Sequence, residues 1–197
     1  MTNNYVTMKK IFAGITAVTL LFSVFTPLAS AQEFIEESLQ DQFVLIAGQE
    51  AFDDFVQEVG YDNAELFMFS SSAFLSADLV LRSGADTVGD LVNELGVTGA
   101  ANFLVQAGSQ SVGNLLNETS MENVSTLLDD FGATDVVSFM NEVGSIEFSQ
   151  VINTVGADSF GDFALDNGVD ETIGFLQDVG GDGFQEVVSS IGLGALD

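Results

Sequence analysis

Glycine recurs along this chain at intervals of 12 or 24 residues, and this spacing constrains the fold more than any other feature of the sequence. Serine takes the place of glycine at the two skipped positions, Ser72 and Ser120. Thirteen consecutive 12-residue units therefore run from Glu37 to Gly192 without insertion or linker, which indicates a single repeat domain. The glycines of the series are Gly48, Gly60, Gly84, Gly96, Gly108, Gly132, Gly144, Gly156, Gly168, Gly180 and Gly192.

The apolar residues of each unit follow a helical pattern. When glycine is numbered position twelve, positions seven and eight are apolar in all thirteen units, and positions four and eleven are mostly apolar. In a helix these four positions fall within an arc of about 100°, the buried stripe of an amphipathic helix. Adjacent apolar residues would face opposite sides of a strand, so a β-solenoid of the same period is the weaker alternative. We expect the phenylalanines at positions four and seven to form the core, with a hydrophobic ligand groove as the alternative.

A single continuous helix is excluded by the period, because twelve residues rotate the apolar stripe by about 120° per unit. Each helix must therefore end at its glycine, which we expect to adopt the left-handed conformation. We expect helices of roughly nine residues whose first turn is capped by the side chain at position two. Serine is costlier than glycine in a left-handed conformation, so Ser72 and Ser120 are expected to turn differently. The predicted capping residues are Asp86, Thr98, Thr134, Asp158, Asp170 and Asp182.

Helices this short are not stable alone, so neighbouring units must cover one another's apolar stripes. The sequence thus predicts an all-α fold, an α-solenoid of about thirteen 12-residue single-helix repeats ending in Gly. Small residues at position five, such as Gly89, Ala101 and Gly113, would let the helix backbones approach closely. The pattern does not determine whether the helices form two layers or wind three to a turn.

The N-terminus has the order of a secretory signal peptide. Two lysines precede an apolar run, Ile11–Phe25, and the small residues Ala29–Ala31 follow it. The prediction is a signal peptide at residues 1–31 and a single helical repeat domain at residues 32–197, located outside the cell or on its surface. A membrane anchor is the alternative, but the run is shorter than the ~18 residues that a span needs. No later segment is long and apolar enough, so we expect no membrane span in the mature chain.

Composition excludes several classes of chemistry. The 197 residues contain 30 Asp and Glu, three Lys and Arg, no His and no Cys, for a net charge of -27. Such a chain has no imidazole base, thiolate or disulfide, and it offers no basic surface to nucleic acid. Arg82, the only cation after residue 31, is expected to pair with a neighbouring acid.

Acidic residues flank the glycine turns, and carboxylates grouped with turn carbonyls are ligands for hard cations. Ca²⁺ is therefore the candidate ion, and a solvated face with helix caps is the alternative. Acids at position ten lie in the last helical turn, where the helix dipole disfavours negative charge, so some other interaction must keep them there. The candidate metal ligands are Glu58, Asp62, Asp166, Asp170, Asp178 and Asp182.

These features favour a secreted or cell-surface scaffold without enzymatic activity, structural or self-associating, with divalent cations as bridges between copies. The first and last units are both apolar, which favours a homo-oligomer or head-to-tail filament. One alternative is an extracellular binding module whose acidic surface holds a cationic protein or envelope component. A carboxylate-dependent hydrolase is the other alternative, disfavoured because the acids are spread over every unit.

Overall fold

The computed structural model describes residues 39–191, with side chains described as far as residue 187. This part of the chain is helical with one π-helical turn and contains no strand, so the all-α prediction is confirmed and the β-solenoid is wrong. The predicted signal peptide and the apolar end after Ile191 lie outside the described residues. The chain divides into two units, Met1–Leu39 and Gln40–Asp197, and nearly all of the described residues belong to the second.

Short helices follow one another along the whole described chain. The longer ones contain non-helical glycines, at which the chain changes direction without leaving the helical hydrogen-bond pattern: Gly96 and Gly108 in α5, Gly132 in α6 and Gly180 in α9. In order, the elements are α1 (39–47), α2 (Gln49–Val59), α3 (Tyr61–Ser71), α4 (Ala73–Ser83), α5 (Ala85–Glu118), α6 (Met121–Phe139), a π-helical turn (Met140–Gly144), α7 (Ser145–Val155), α8 (Ala157–Asn167) and α9 (Val169–Ile191).

Each glycine turn consists of one residue. The repeat glycines from Gly48 to Gly180 have φ between 68° and 100°, as expected, but ψ lies between 132° and 171°. This is an extended backbone with a positive φ and not the left-handed helical conformation that we expected. Essentially only glycine adopts it. The Gly60 N–H donates to the Val56 carbonyl at 2.8 Å, and the Gly60 carbonyl accepts from the Ala64 N–H at 3.0 Å. The same residue thus ends one helix and begins the next.

Two expectations about the helix ends are therefore corrected. Helices bounded by two breaks are 11 residues long, as in α2 and α7, and not about nine, since no separate capping residue follows the glycine. The predicted caps at position two are wrong, because those residues already lie inside the first turn. They are Asp86, Thr98, Thr134, Asp158, Asp170 and Asp182.

Side-chain caps occur instead at position twelve, at the two serines. The Ser72 hydroxyl accepts from the Leu75 N–H, and the Ser120 hydroxyl accepts from the Asn123 N–H, each at 3.3 Å. Ser72 nevertheless keeps the conformation of the glycines, with φ 85° and ψ 142°, whereas Ser120 has φ -73°. The expected difference from the glycine turns is correct for Ser120 alone.

Helices pack against the helix three units further along the chain. The Asn117 side-chain amide donates to the Arg82 carbonyl, 35 residues earlier, at 3.0 Å. The Gln177 amide makes the same bond to the Glu142 carbonyl at 3.0 Å, again 35 residues earlier. Three 12-residue units make 36 residues, so the described helices wind three to a turn. We call each turn of three helices a layer. The structure thereby answers a question that the sequence pattern left open.

Helices stacked in this way form three columns, which we name by the side chains they carry. The acidic column contains segments 49–59, 85–95, 121–131 and 157–167. The amide column contains segments 73–83, 109–119, 145–155 and 181–191, and α1 (39–47) precedes the first of these by three units. The mixed column contains segments 61–71, 97–107, 133–143 and 169–179.

Phenylalanine forms much of the shared core, as the sequence predicted. Ring centroids of Phe139 and Phe160 lie 5.1 Å apart at an interplanar angle of 76°, an edge-to-face contact. Burying one such side chain stabilises the fold by roughly 1.5–3 kcal/mol, so the shared core provides stabilisation that each short helix lacks alone. The fully buried rings are Phe43, Phe55, Phe67, Phe103, Phe139, Phe148, Phe160 and Phe184.

Candidate functional site

The acidic column concentrates the negative charge of the molecule. Its four segments carry thirteen carboxylates, whereas segments 73–83, 109–119, 145–155 and 181–191 of the amide column carry Asp78, Glu118, Glu147, Asp182 and Glu186 together with Arg82. The charge distribution is therefore strongly unequal between columns. The acids of the acidic column are Glu50, Asp53, Asp54, Glu58, Asp86, Asp90, Glu94, Glu122, Asp129, Asp130, Asp158, Asp162 and Asp166.

Acids at position ten pack over position five of the helix in the next layer. A Cβ atom added at Gly89 would lie 2.6 Å from Glu58 Cβ, and the Ser125 hydroxyl donates to Glu94 Oε1 at 2.9 Å. The predicted close approach of neighbouring helices at position five is thus confirmed at Gly89. These carboxylates thus make packing and hydrogen-bond contacts with the next helix in addition to those of their own helix.

The six predicted metal ligands are all solvent-exposed and belong to different columns. Glu58 and Asp166 lie in the acidic column, Asp182 lies in the amide column, and the other three lie in the mixed column. Among the described residues, no group of three or more Asp, Glu, His or Cys side chains meets as a possible metal site. Because Ca²⁺ takes six to eight oxygens, an ion held at one of these turns would need water, carbonyls or a second molecule as further ligands. Calcium binding by these residues stays a prediction.

Arg82 forms the ion pair that the sequence predicted. Its Nε donates to Asp78 Oδ2 at 2.7 Å, and Ser109 Oγ in the next layer donates to the same oxygen at 2.6 Å. The hydrogen bonds from Arg82 and Ser109 lower the pKa of Asp78. Because Ser109 belongs to the next layer, the pair also connects two layers of the amide column.

The amide column contains a groove that the sequence did not predict. Its volume is about 660 Å³, and it extends over segments 109–119, 145–155 and 181–187 and the adjoining turns at Gly144 and Gly180. Polar side chains line it together with a few aliphatic ones, and it opens to solvent. The lining side chains of the column are Gln110, Asn114, Ser145, Ile146, Glu147, Gln150, Val151, Thr154, Asp182 and Gln185.

Two hydrogen bonds within the column fix the groove. Asn114 Nδ2 donates to Ser145 Oγ at 2.9 Å, and the Gly181 N–H donates to Glu147 Oε1 at 2.9 Å. Gln110, Gln150 and Gln185 are exposed, and none of the hydrogen bonds within the described residues uses their side-chain amides. Their donors and acceptors are therefore free to meet a ligand.

Sequence reasoning missed this groove because its residues come from units that are 36 residues apart. The available signal was limited to two units that are 36 residues apart. Both have amides at positions six and nine, and the first has one at position two as well: Asn114, Asn117 and Gln110 in the first, Gln150 and Asn153 in the second. It becomes visible only when the units are grouped in threes, and the grouping follows from the packing of the layers.

Within the described residues no single helix is both long and apolar enough to cross a membrane; α3 and α4 meet that test only as a pair bent by 112°. Comparison of the chain with protein-family models, curated proteins and solved structures finds no match. The candidate site therefore has to be argued from this chain's own residues.

Proposed function

We propose that this chain is an α-solenoid of 12-residue single-helix repeats that serves as a secreted or cell-surface scaffold without enzymatic activity. In this proposal copies associate end to end, with divalent cations between facing carboxylates. The observation that carries it is the repeated packing of position ten on position five of the next layer, seen at Glu58 with Gly89 and at Asp130 with Gly161. An interface that repeats inside one chain is the natural template for contact between chains.

Position five supports a dependence on cations. It is acidic at Asp41, Asp53 and Glu65, in the first layer, and uncharged in every later unit. A second copy stacked in the same register would place Asp41 and Asp53 against Asp166 and Asp178 of the first. Facing carboxylates repel each other, and a divalent ion between them converts the repulsion into attraction.

The test is the assembly state of the purified protein with and without millimolar Ca²⁺, measured by static light scattering and negative-stain microscopy. We expect monomers in chelator and filaments in Ca²⁺ that dissolve again when chelator is added. A monomer under both conditions overturns the proposal of self-association.

Matched variants locate the interface. Asp53→Ala removes an acid at position five, and Asp54→Ala removes its neighbour at position six of the same helix. We expect Asp53→Ala to remove one carboxylate of the bridge and so raise the Ca²⁺ concentration needed for assembly, and Asp54→Ala to leave it nearly unchanged. Equal effects would mean that general charge repulsion, and not this register, controls association.

A second candidate function is favoured by the thirteen carboxylates of the acidic column. A surface of one charge attracts oppositely charged partners and loses them at high salt. The chain would then hold a cationic protein or envelope component, and a pull-down from envelope extract that is released by salt would favour this role over self-assembly.

A further inference from the structure

We propose that the groove of the amide column binds an uncharged polyhydroxyl chain, such as a stretch of neutral glycan. The inference does not depend on the scaffold role, because none of the residues that line the groove is among the acids proposed to face each other between copies, Asp41, Asp53, Asp166 and Asp178. Glycan binding and end-to-end association can therefore succeed or fail separately.

The chemistry of the lining favours hydroxyl groups. A primary amide offers two donors and an acceptor in one plane, and a sugar hydroxyl is both donor and acceptor. Gln110, Gln150 and Gln185 present such amides without using them inside the described part of the molecule. Asp182 adds an exposed acceptor at the same groove.

Charge disfavours an anionic ligand. No Lys, Arg or His lines the groove, and the whole chain carries a net charge of -27. Phosphate, sulfate or uronic-acid groups would therefore meet repulsion with no compensating ion pair. Two carboxylates line the groove, but Glu147 already accepts the Gly181 N–H. The remaining polar surface is mostly uncharged, which is why we infer a neutral ligand.

Shape favours an elongated ligand. The groove crosses three helices stacked in one column, and packed helices lie about 8–10 Å apart, so it is about 20 Å long. Its volume of about 660 Å³ lies within the usual range of small-ligand sites. Ile146 and Val179 are 52% and 37% exposed beside it and offer apolar contact to the carbon faces of sugar rings. A chain of several sugar units matches this length better than a compact molecule.

The experiment is isothermal titration calorimetry of the full protein with uncharged hexasaccharides of three linkages: cellohexaose, maltohexaose and chitohexaose. We expect at least one to bind with a Kd between about 10 µM and 1 mM, because the groove is open and carries no aromatic ring. Oligogalacturonate is the anionic probe and should bind at least tenfold more weakly than the best neutral chain. Hexalysine is the cationic probe, and any binding of it to the acidic column should be unchanged in the groove variant described next.

Two variants test whether the glycan binds in the groove. The double variant Gln110→Ala and Gln150→Ala removes two exposed amides of the groove, and Gln57→Ala removes an exposed amide of the acidic column. We expect the double variant to weaken binding at least tenfold and Gln57→Ala to change it less than twofold. Circular dichroism is to check that both variants keep their helix content.

Three results would overturn the proposal. One is the absence of binding by every neutral hexasaccharide at millimolar concentration. Another is binding that survives the double variant unchanged. The third is hexalysine binding that is tighter than glycan binding and that the double variant weakens at least tenfold, which would assign the groove to a cationic peptide.

Discussion

Ser72 and Ser120 occupy the same position of the repeat, where the other described units have glycine, yet the chain turns in two different ways at them. Ser72 copies the glycine turn, with φ 85° and ψ 142°. At Ser120 the bend is shared between two residues, Thr119 with φ -135° and Ser120 with φ -73°. Position twelve therefore requires a positive φ only where one residue has to make the whole turn.

The contacts around Ser72 explain how it tolerates a conformation that costs roughly 1–3 kcal/mol. The Ser72 carbonyl accepts from the Ser76 N–H at 3.1 Å and from the Ser76 hydroxyl at 2.9 Å. The buried Ser71 and Ser76 hydroxyls bond each other at 2.8 Å across the turn. Three serines thus hold the two helices together at the bend, while Ser120 needs no comparable network.

The largest expected effect is at an ordinary glycine turn. Gly156→Ala should destabilise the protein by about 1–3 kcal/mol, because Gly156 has φ 84° and ψ 150°. A Cβ there would meet no atom within 4 Å, so the cost is conformational and not steric. Urea unfolding followed by circular dichroism measures it.

Gly174→Ala is the matched control for this substitution. Gly174 lies inside α9 without a positive φ, and its Cβ would also meet nothing within 4 Å. Alanine should stabilise the helix there by up to about 1 kcal/mol. If both substitutions changed stability in the same direction, the positive φ at position twelve would not be the controlling factor.

The next effect concerns the serine network at Ser72. Ser76→Ala removes hydrogen bonds to the Ser72 carbonyl and the Ser71 hydroxyl, and we expect a loss of about 1–3 kcal/mol. Ser149→Ala is the control, because the buried Ser149 hydroxyl bonds the Ser145 carbonyl at 2.7 Å within α7 and supports no serine turn. Equal thermal destabilisation by the two variants would show that Ser76 does nothing special for the Ser72 turn.

Substitution by glycine is expected to change the stability of the protein in opposite directions at the two turns. Ser72→Gly should stabilise the protein by up to about 1 kcal/mol, because relief of the positive φ outweighs a capping loss of a few tenths. Ser120→Gly should destabilise it by about 0.5–1 kcal/mol, because glycine adds freedom to the unfolded chain and no strain is relieved. Parallel thermal melts of both variants check this, and shifts in the same direction would mean that the two turns are energetically alike.

The sequence predicted the features that depend only on the types of its residues and on their spacing. The all-α class, the breaks at the repeat glycines, the buried phenylalanines and the Arg82 ion pair all follow from residue type and period. It did not predict that the bend at Ser120 would be shared with Thr119, because a serine at position twelve can adopt either the positive φ of Ser72 or the negative φ of Ser120. Nor did it predict the groove, since Gln110 and Gln150 become neighbours only after helices three units apart have packed.

The smallest expected effect concerns Asp78 in α4, the helix that follows Ser72. Its pKa is lowered by hydrogen bonds from Arg82 and Ser109, so its stabilising contribution is present above the ordinary value of 3.8 and is lost as pH falls through the lowered pKa. The pair is partly exposed and contributes at most about 1 kcal/mol. We expect wild type to exceed Asp78→Asn in melting temperature at pH 7, and the difference to shrink towards pH 3.

Acidification also relieves repulsion among the other carboxylates, so only the difference between variants is informative. Asp90→Asn removes an exposed acid of the acidic column that makes no hydrogen bond within the described residues. It should raise stability slightly at pH 7, because it lowers the net negative charge, whereas Asp78→Asn should lower it. If Asp78→Asn instead matched Asp90→Asn across the pH range, the bond from Ser109 would add nothing to the contact between these two layers, and α4 would depend on the Ser72 turn and the core alone.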